Sequence, residues 1–418
     1  MDKKKLILRI VLISLAAILA VGVIWGLVLL IEYHTLDDTG LPRIEVTTAG
    51  GAEILSKEDY VDCTVTVSGA EAEFCFENAE AGIRGRGNDT WTHYPKKPYR
   101  IKFEEKTSML GEKKNKSWVL LALYNDFSLT KDRLAFGMAD ALEGDAFVPS
   151  YHYVELYLNG EYNGIYLLTD QVDENKGRTE VKEDFEETDV AVPFLVELDS
   201  RAPSEGVEGV DWFWVGGHSY AVKYPEADER YTDEQFKYIE NYVKKVDELC
   251  RRENVTVAEL AEYIDVQSFI DFYLIQEAMG QPEINWKSVY MSKTKDGKMI
   301  MGPVWDFDWA ATGPYVGSEA GKYEDMTDGF RSQDNWFDAL YKGSAEFRAA
   351  LSARWSEVHP KLLAAIGQVE AERDLITRAA RRDRLHWHWY RLGGSYESAL
   401  DDTLEWCRAR ITWMDSVL

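Results

Sequence analysis

Twenty-two consecutive residues, Ile10 to Ile31, carry no charge. A helix needs ~20 predominantly apolar residues to cross a bilayer. A surface-packed helix of this length would show a polar face, and this run has none. Lys3, Lys4, Lys5 and Arg9 precede it. A cleaved signal peptide also begins with lysines. Against cleavage, the apolar run continues through Trp25 to Ile31, and no small-x-small site precedes a polar mature end. The segment at 10–31 is therefore read as an uncleaved transmembrane anchor. The positive-inside rule puts its lysines in the cytoplasm. Residues 32–41 then form a short linker, and the main body sits outside the cell membrane in a single-pass arrangement.

That main body is strongly acidic. The net charge is −26; the first 31 residues contribute +3, so the remainder carries −29. Such a surface disfavours nucleic acid and suits a basic polypeptide or bound cations, although most of the charge is simply solvated. The length of 418 residues allows two or three compact units at ~100–200 residues each. Cys63, Cys75, Cys250 and Cys407 form no Cys-x-x-Cys pair, which argues against structural zinc. Cys63 and Cys75 flank a predicted hairpin and are placed either to pair in an oxidising space or to remain free. His386 and His388 are two apart in a helical tail and would not share a helix face.

After the linker the pattern is β-like. Ile44–Val46, Cys63–Val67, Glu73–Phe76 and Tyr99–Phe103 read as short strands. In the last of these, Arg100 and Lys102 share one face while Tyr99, Ile101 and Phe103 share the other. Tyr153–Leu158 and Tyr162–Thr169 flank Asn159-Gly160, a strong hairpin signal. Helical spacing covers 131–143, 232–250 and 257–280. A second hairpin is predicted over 288–304, turning at Lys295–Gly297. From about 331 the chain reads as helices, broken near Gly367 and Gly393. Strands early and helices late predict an α+β fold.

Three stretches could carry chemistry. The first is Ile83-Arg-Gly-Arg-Gly-Asn-Asp-Thr-Trp91 followed by Lys96-Lys-Pro-Tyr-Arg-Ile-Lys-Phe103. Glycines allow a tight loop, and Arg84, Arg86, Lys96, Lys97, Arg100 and Lys102 surround it. Backbone donors plus positive charge suit phosphate. The competing reading is a hairpin whose cations pair with the acidic surface. The second stretch is Val304-Trp-Asp-Phe-Asp-Trp309. If extended, it puts Asp306 and Asp308 on one side and three aromatic rings on the other. Two such carboxylates suit a hard cation, Mg²⁺ or Mn²⁺. The third is Gln281-Pro-Glu-Ile-Asn-Trp-Lys-Ser288, leaving a long apolar helix. A loop carboxylate, a hairpin, then an aspartate beside an aromatic follow the order used by protein kinases. No His-Arg-Asp, Asp-Phe-Gly or Gly-x-Gly-x-x-Gly string accompanies them.

Arg86–Trp91, Lys96–Lys102, Trp118–Leu120, Leu156–Tyr166 and Pro303–Asp308, in this order, resemble the CotH kinase-like family, named for a spore-coat protein kinase. The resemblance runs from about Leu41 to the C-terminus. It implies an atypical protein-kinase-like, two-lobed fold, with a core over 42–330 and a helical part of the same domain over 331–418. It also implies ATP- and divalent-metal-dependent transfer of phosphate to serine. Asp306 matches the metal-binding aspartate, with Asp308 beside it. Glu283 falls where the family's catalytic aspartate is expected, a Glu-for-Asp departure. Asn285 is the ligand candidate beside it. Arg84, Arg86, Lys97, Arg100 and Lys102 are the expected phosphate contacts. The expected partner is a secreted or surface protein, Ser-rich and basic. Two other readings remain open: a non-catalytic surface scaffold or adhesin, and transfer of another group, such as AMP, onto a surface polymer.

Overall fold

Helix α1 (Lys3–Thr35) contains the apolar run and extends beyond it at both ends. The computed structural model describes residues 3–205, 211–226, 231–311, 335–387 and 394–418; His388 and Gly393 lie outside them. Among the described residues one helix segment, Arg9–Thr35, is long and apolar enough to cross a membrane. A membrane anchor and a signal sequence both meet that description. Residues 32–41, expected as a linker, are docked. The Tyr33 hydroxyl meets His386 Nδ1 at 3.2 Å, and Leu36 and Leu41 are buried.

Alternating apolar residues build the next layer. Strands β1 (Arg43–Thr48), β2 (Val61–Ser68), β3 (Phe76–Gly85), β4 (Tyr99–Thr107), β5 (Asn115–Leu121), β6 (His152–Leu158) and β7 (Glu161–Asp170) close into a barrel in the order β1-β2-β3-β4-β5-β7-β6. Ile44, Val65, Ile83, Ile101 and Trp118 fill its interior. Closure comes from β1 running parallel to β6, with Arg43 opposite Glu155. The β6–β7 turn uses Asn159 (φ 52°) and Gly160 (φ 83°) as anticipated. Of the stretch 73–76 only Phe76 is in a strand, as the first residue of β3. Residues Ala72–Phe74 form a single 3₁₀ turn, which lays the Phe74 ring over Gly111. Cys63 is buried and Cys75 exposed, and all four cysteines are free thiols.

A second sheet follows, built from β8 (Phe194–Leu198), β9 (Trp212–Val215), β10 (His218–Tyr224), β11 (Val289–Lys293) and β12 (Ile300–Met301), in the order β12-β11-β8-β10-β9. Around it and toward the C-terminus lie α2 (Asp89–His93), α3 (Lys131–Leu142), α4 (Ala202–Glu205), α5 (Asp233–Cys250), α6 (Val257–Leu260), α7 (Val266–Met279), α8 (Trp336–Gly343), α9 (Ala345–Ala371), α10 (Arg373–His386) and α11 (Tyr396–Val417). The single helix expected over 257–280 is two. Asp265 starts α7 by accepting from the Ser268 amide at 2.6 Å, an N-cap that ends any continuous helix there. Gly367 lies inside α9, and the break falls at Glu372. The whole is a mixed α+β fold, β-rich in its N-terminal part and helical in its C-terminal part.

Buried ion pairs tie the helical part to the barrel. Lys96 is fully buried and pairs with Asp383 of α10 at 2.7 Å. Arg382, also on α10, reaches Asp37 at 2.6 Å and buried Glu155 at 3.4 Å. Removing one partner of such a pair strands a buried charge and costs ~3–5 kcal/mol.

Candidate active site

The barrel contributes the positive side. On its outer face Arg84 of β3 lies directly opposite Arg100 of β4. Like charges placed opposite each other in a ladder are unfavourable. The Arg84 guanidinium packs over the Tyr60 ring at 5.1 Å, and Arg100 Nη2 donates to Ser117 Oγ at 3.0 Å. Both Nε atoms are buried without a partner. Burial, together with Arg84 and Arg178, lowers the Arg100 pKa below its ordinary value. After β3 the chain turns through Gly85, where a Cβ would run into the Trp91 ring. Only glycine lets Trp91 close over this strand end. Arg86 then projects across to the Trp305 ring, 5.7 Å away. Lys97 does not join these cations. Its Nζ donates to the Trp91 carbonyl and sits 5.5 Å from the Trp91 ring. Its neighbour Lys96 is spent on the pair with Asp383.

The helical part contributes the negative side. Helix α7 ends at Gly280 in a left-handed conformation, and the following loop makes one turn in which the Trp286 amide donates to the Glu283 carbonyl at 2.8 Å. This turn brings Lys287 Nζ to Glu283 Oε1 at 2.8 Å. Glu283 Oε2 is buried with no partner. After the β11–β12 hairpin the chain was expected to run extended through 304–309. It does not. Asp306 is left-handed (φ 69°), and the Ala310 amide closes a turn on the Phe307 carbonyl at 2.9 Å. Alternation therefore does not place the two carboxylates. Side-chain partners do: Ser288 Oγ donates to Asp306 Oδ2 at 2.9 Å, and Asn125 Nδ2 donates to Asp308 Oδ2 at 2.8 Å. Ser288 is itself left-handed (φ 60°). Such backbone costs about 1–2 kcal/mol in each non-glycine residue, and here both strained residues face each other. Trp305 and Phe307 are buried as anticipated, with Trp305 stacked on Phe136 at 5.7 Å.

Two adjoining cavities result. One, of about 140 Å³, is lined by Arg86, Asp199, Arg201, Ser288, Asp306 and Asp308 among others. The other, of about 560 Å³, is lined by Arg100, Lys102, Lys106, Lys116, Lys182 and Lys223, with several carboxylates between them. Glu197 and Tyr290 line both, so they form the shared wall. Asn285 is not brought here. Its Oδ1 accepts from Asn335 at 3.1 Å, and it lines a separate, largely apolar cavity. Ser288, five residues after Glu283, is the side chain that meets Asp306 instead.

Burial and mutual repulsion shape the carboxylates. Burial, then Asp306, raise the Glu283 pKa, against Lys287 and Arg201. Burial, then Asp306, Asp132 and Glu283, push Asp308 well up. Asp132 on α3 is pushed up to about 7, chiefly by burial; it accepts from the Phe307 amide, which pulls the other way. A cation placed among these groups would relieve the repulsion. Oxygen-only donors and the orphaned Glu283 Oε2 fit a hard divalent ion. Among the described residues no three His, Cys, Asp or Glu side chains form a complete metal-binding group. Mg²⁺ commonly takes one or two carboxylates and completes its shell with water and substrate phosphate.

Asp132, Glu197, Asp199 and Arg201 were not anticipated. Asp132 reads as an ordinary polar residue in an amphipathic helix. Glu197, Asp199 and Arg201 belong to a strand end with no motif. Only the sheet register brings them to the site.

A family model described as CotH kinase protein matches residues 83–414, which span both sides of this site. No curated protein matches the chain.

Proposed function

The chain belongs to the CotH kinase family, and from that premise we propose that it transfers phosphate from ATP to serine or threonine of a secreted or surface protein. The observation that carries this reading is the pair of adjoining cavities, the larger richer in cations and the smaller richer in carboxylates, joined at Glu197 and Tyr290. The larger one has room and charge for a nucleotide; the smaller has the carboxylates. A cation-bearing barrel set against a carboxylate-bearing helical part is the division of labour expected of a two-lobed kinase-like fold.

In the proposed mechanism Arg86, Arg100 and Lys102 hold the phosphates. Arg100 suits this role because its Nε lacks a protein partner, and guanidinium pairs well with phosphate oxygens. Asp306 and Asp308 would hold Mg²⁺ or Mn²⁺, which supplies charge neutralisation at the transferring phosphate. Ser288 and Asn125 fix those two carboxylates in advance, so the geometry needs little rearrangement. Glu283 orients the acceptor hydroxyl and takes its proton. Its raised pKa makes it a stronger base, nearer in strength to what neutral pH favours. Lys287 holds its other oxygen. The longer Glu side chain reaches from a helical turn, so its placement depends on that ion pair. Positioning and electrostatics carry most of the rate in such a transfer.

The same Lys287–Glu283 pair also favours a second reading. A carboxylate already engaged at 2.8 Å is what a non-catalytic scaffold would keep. In either case Lys3–Lys5 would face the cytoplasm and the site the outside, if α1 stays in the membrane.

The test uses the full chain in lipid nanodiscs, Mn²⁺ or Mg²⁺, a Ser-rich basic peptide and ATP labelled at the γ- or the α-phosphate. The γ-label should enter the peptide or the chain itself, and Asp306→Ala should abolish it. Unchanged labelling in that variant, or incorporation of the α-label, overturns the assignment.

A further inference from the structure

Trp212 and Trp214 are 36% and 55% exposed, on the edge strand β9 of the second sheet. Their neighbours Phe213 and Val215 point into the core. The register says which face the two tryptophans share. Trp212 pairs with Ala221, Ala221 with Glu197, and Glu197 with Tyr290. Residues directly opposite in a ladder point to the same side. Trp212 therefore stands on the face whose Glu197 and Tyr290 wall the two cavities. The next row repeats this. Trp214 pairs with Ser219, and the Ser219 carbonyl accepts from the amide of Asp199 at 3.0 Å. Each tryptophan is thus two strands from a cavity residue, or ~10 Å at ~4.8 Å per strand. An extended peptide covers that distance in about three residues.

The two rings are 6.1 Å apart and nearly perpendicular, at 83°. This edge-to-face pair offers no wide flat platform on which a sugar ring could stack. A compact cation needs only one open π-face. Asp211, exposed beside Trp212, adds negative charge. The −29 carried by the residues after the apolar segment adds a long-range field of the same sign.

We propose that Trp212 and Trp214 form a docking corner for a lysine or arginine of the polypeptide substrate, about three residues from the serine or threonine that enters the cavity. This rests on the phosphoryl-transfer reading for what the cavity accepts, but not for the docking itself. It would set specificity by position rather than take part in the chemistry.

The test is binding without nucleotide. Fluorescein-labelled peptides carry one serine and a lysine three residues to either side, or glutamine in its place. Anisotropy is read against the full chain in nanodiscs. One lysine peptide should bind about tenfold more tightly than its glutamine counterpart. Trp212→Ala with Trp214→Ala should erase that preference, and Trp212→Phe with Trp214→Phe should keep part of it. Melting curves show that each variant is folded. A tenfold preference that survives the double alanine variant overturns the proposal, as does equal loss of both peptides. Failure of label transfer to a peptide that docks this way would remove the kinase reading and leave the docking corner intact.

Discussion

The two cavities meet at one wall and are built on opposite terms. On the barrel side, Arg84 and Arg100 face each other across a ladder with unpartnered Nε atoms. On the helical side, burial and the Asp306 charge raise the proton affinity of Glu283, Asp308 and Asp132, yet Asn125, Ser288 and the Phe307 amide hold Asp308, Asp306 and Asp132 in place. Neither side is at its own energetic best. Each becomes favourable when a ligand brings what the other lacks: anionic oxygens for the arginines and a cation for the carboxylates. Under the proposed function, a metal–nucleotide complex would bring both together. The difference teaches that hydrogen bonds position the carboxylate side in advance, while the facing arginines keep unpartnered Nε atoms.

The comparison can be broken most sharply at Glu283. Glu283→Gln should lower phosphate transfer by ~10²–10⁴-fold, the range for loss of a general base, with nucleotide binding retained. Glu283→Asp keeps the charge and should lose much less. Single-turnover labelling separates the two. Equal activity in wild type and Glu283→Gln would leave the transfer without its proposed base.

A smaller effect is expected on the barrel. Arg100→Ala should weaken nucleotide binding by ~10–100-fold, the worth of a charge-assisted hydrogen bond. The melting temperature without ligand should hold or rise, because a like-charge pair is relieved. A clear drop in melting temperature with unchanged nucleotide affinity would make Arg100 a structural residue.

The smallest effect is a pH dependence. Asp132 prefers its proton in the folded chain, with its pKa raised from 3.8 to about 7, and Glu283 and Asp308 shift the same way. Stability from a raised carboxylate pKa is complete below its unfolded value and is lost as pH rises through the folded one. In EDTA the melting temperature should therefore decline by a few degrees between pH ~5 and pH ~8. Added Mn²⁺ should raise it more at the alkaline end, since the ion needs deprotonated ligands. A metal-free melting temperature that climbs over this interval would contradict the crowding.

The sequence reading and the structure part company for physical reasons. Period-two alternation exposed β1, β2 and β4, and Asn159-Gly160 the hairpin, because these signals are local. Barrel closure was not legible: β1 meets β6 more than a hundred residues away, and no local pattern encodes that pairing. Glu73–Phe76 is β-prone in composition, but Phe74 is drawn to Gly111 instead. Asp306 stood out in the sequence by its aromatic frame, although that frame is a turn rather than a strand. Lys96 and Lys97 belonged to the cationic cluster around the loop, and Lys97 to the expected phosphate contacts. One is consumed by Asp383 on a helix near the C-terminus, and the other by the Trp91 carbonyl. Asn285 and Ser288 were separable only once the turn at 283–287 had been seen. Asp132 carried no signal, since burial does not show in a helix whose neighbours include Lys131 and Arg133.

The central claim is that one ligand satisfies both cavities through its metal and its phosphates. Calorimetric titration of the full chain in nanodiscs with a non-hydrolysable ATP analogue, with and without Mn²⁺, tests it most directly. Wild type should bind more tightly with Mn²⁺. Asp306→Asn should lose that enhancement, while Arg100→Ala should weaken binding under both conditions. Undiminished Mn²⁺-enhanced binding in Asp306→Asn would contradict the account.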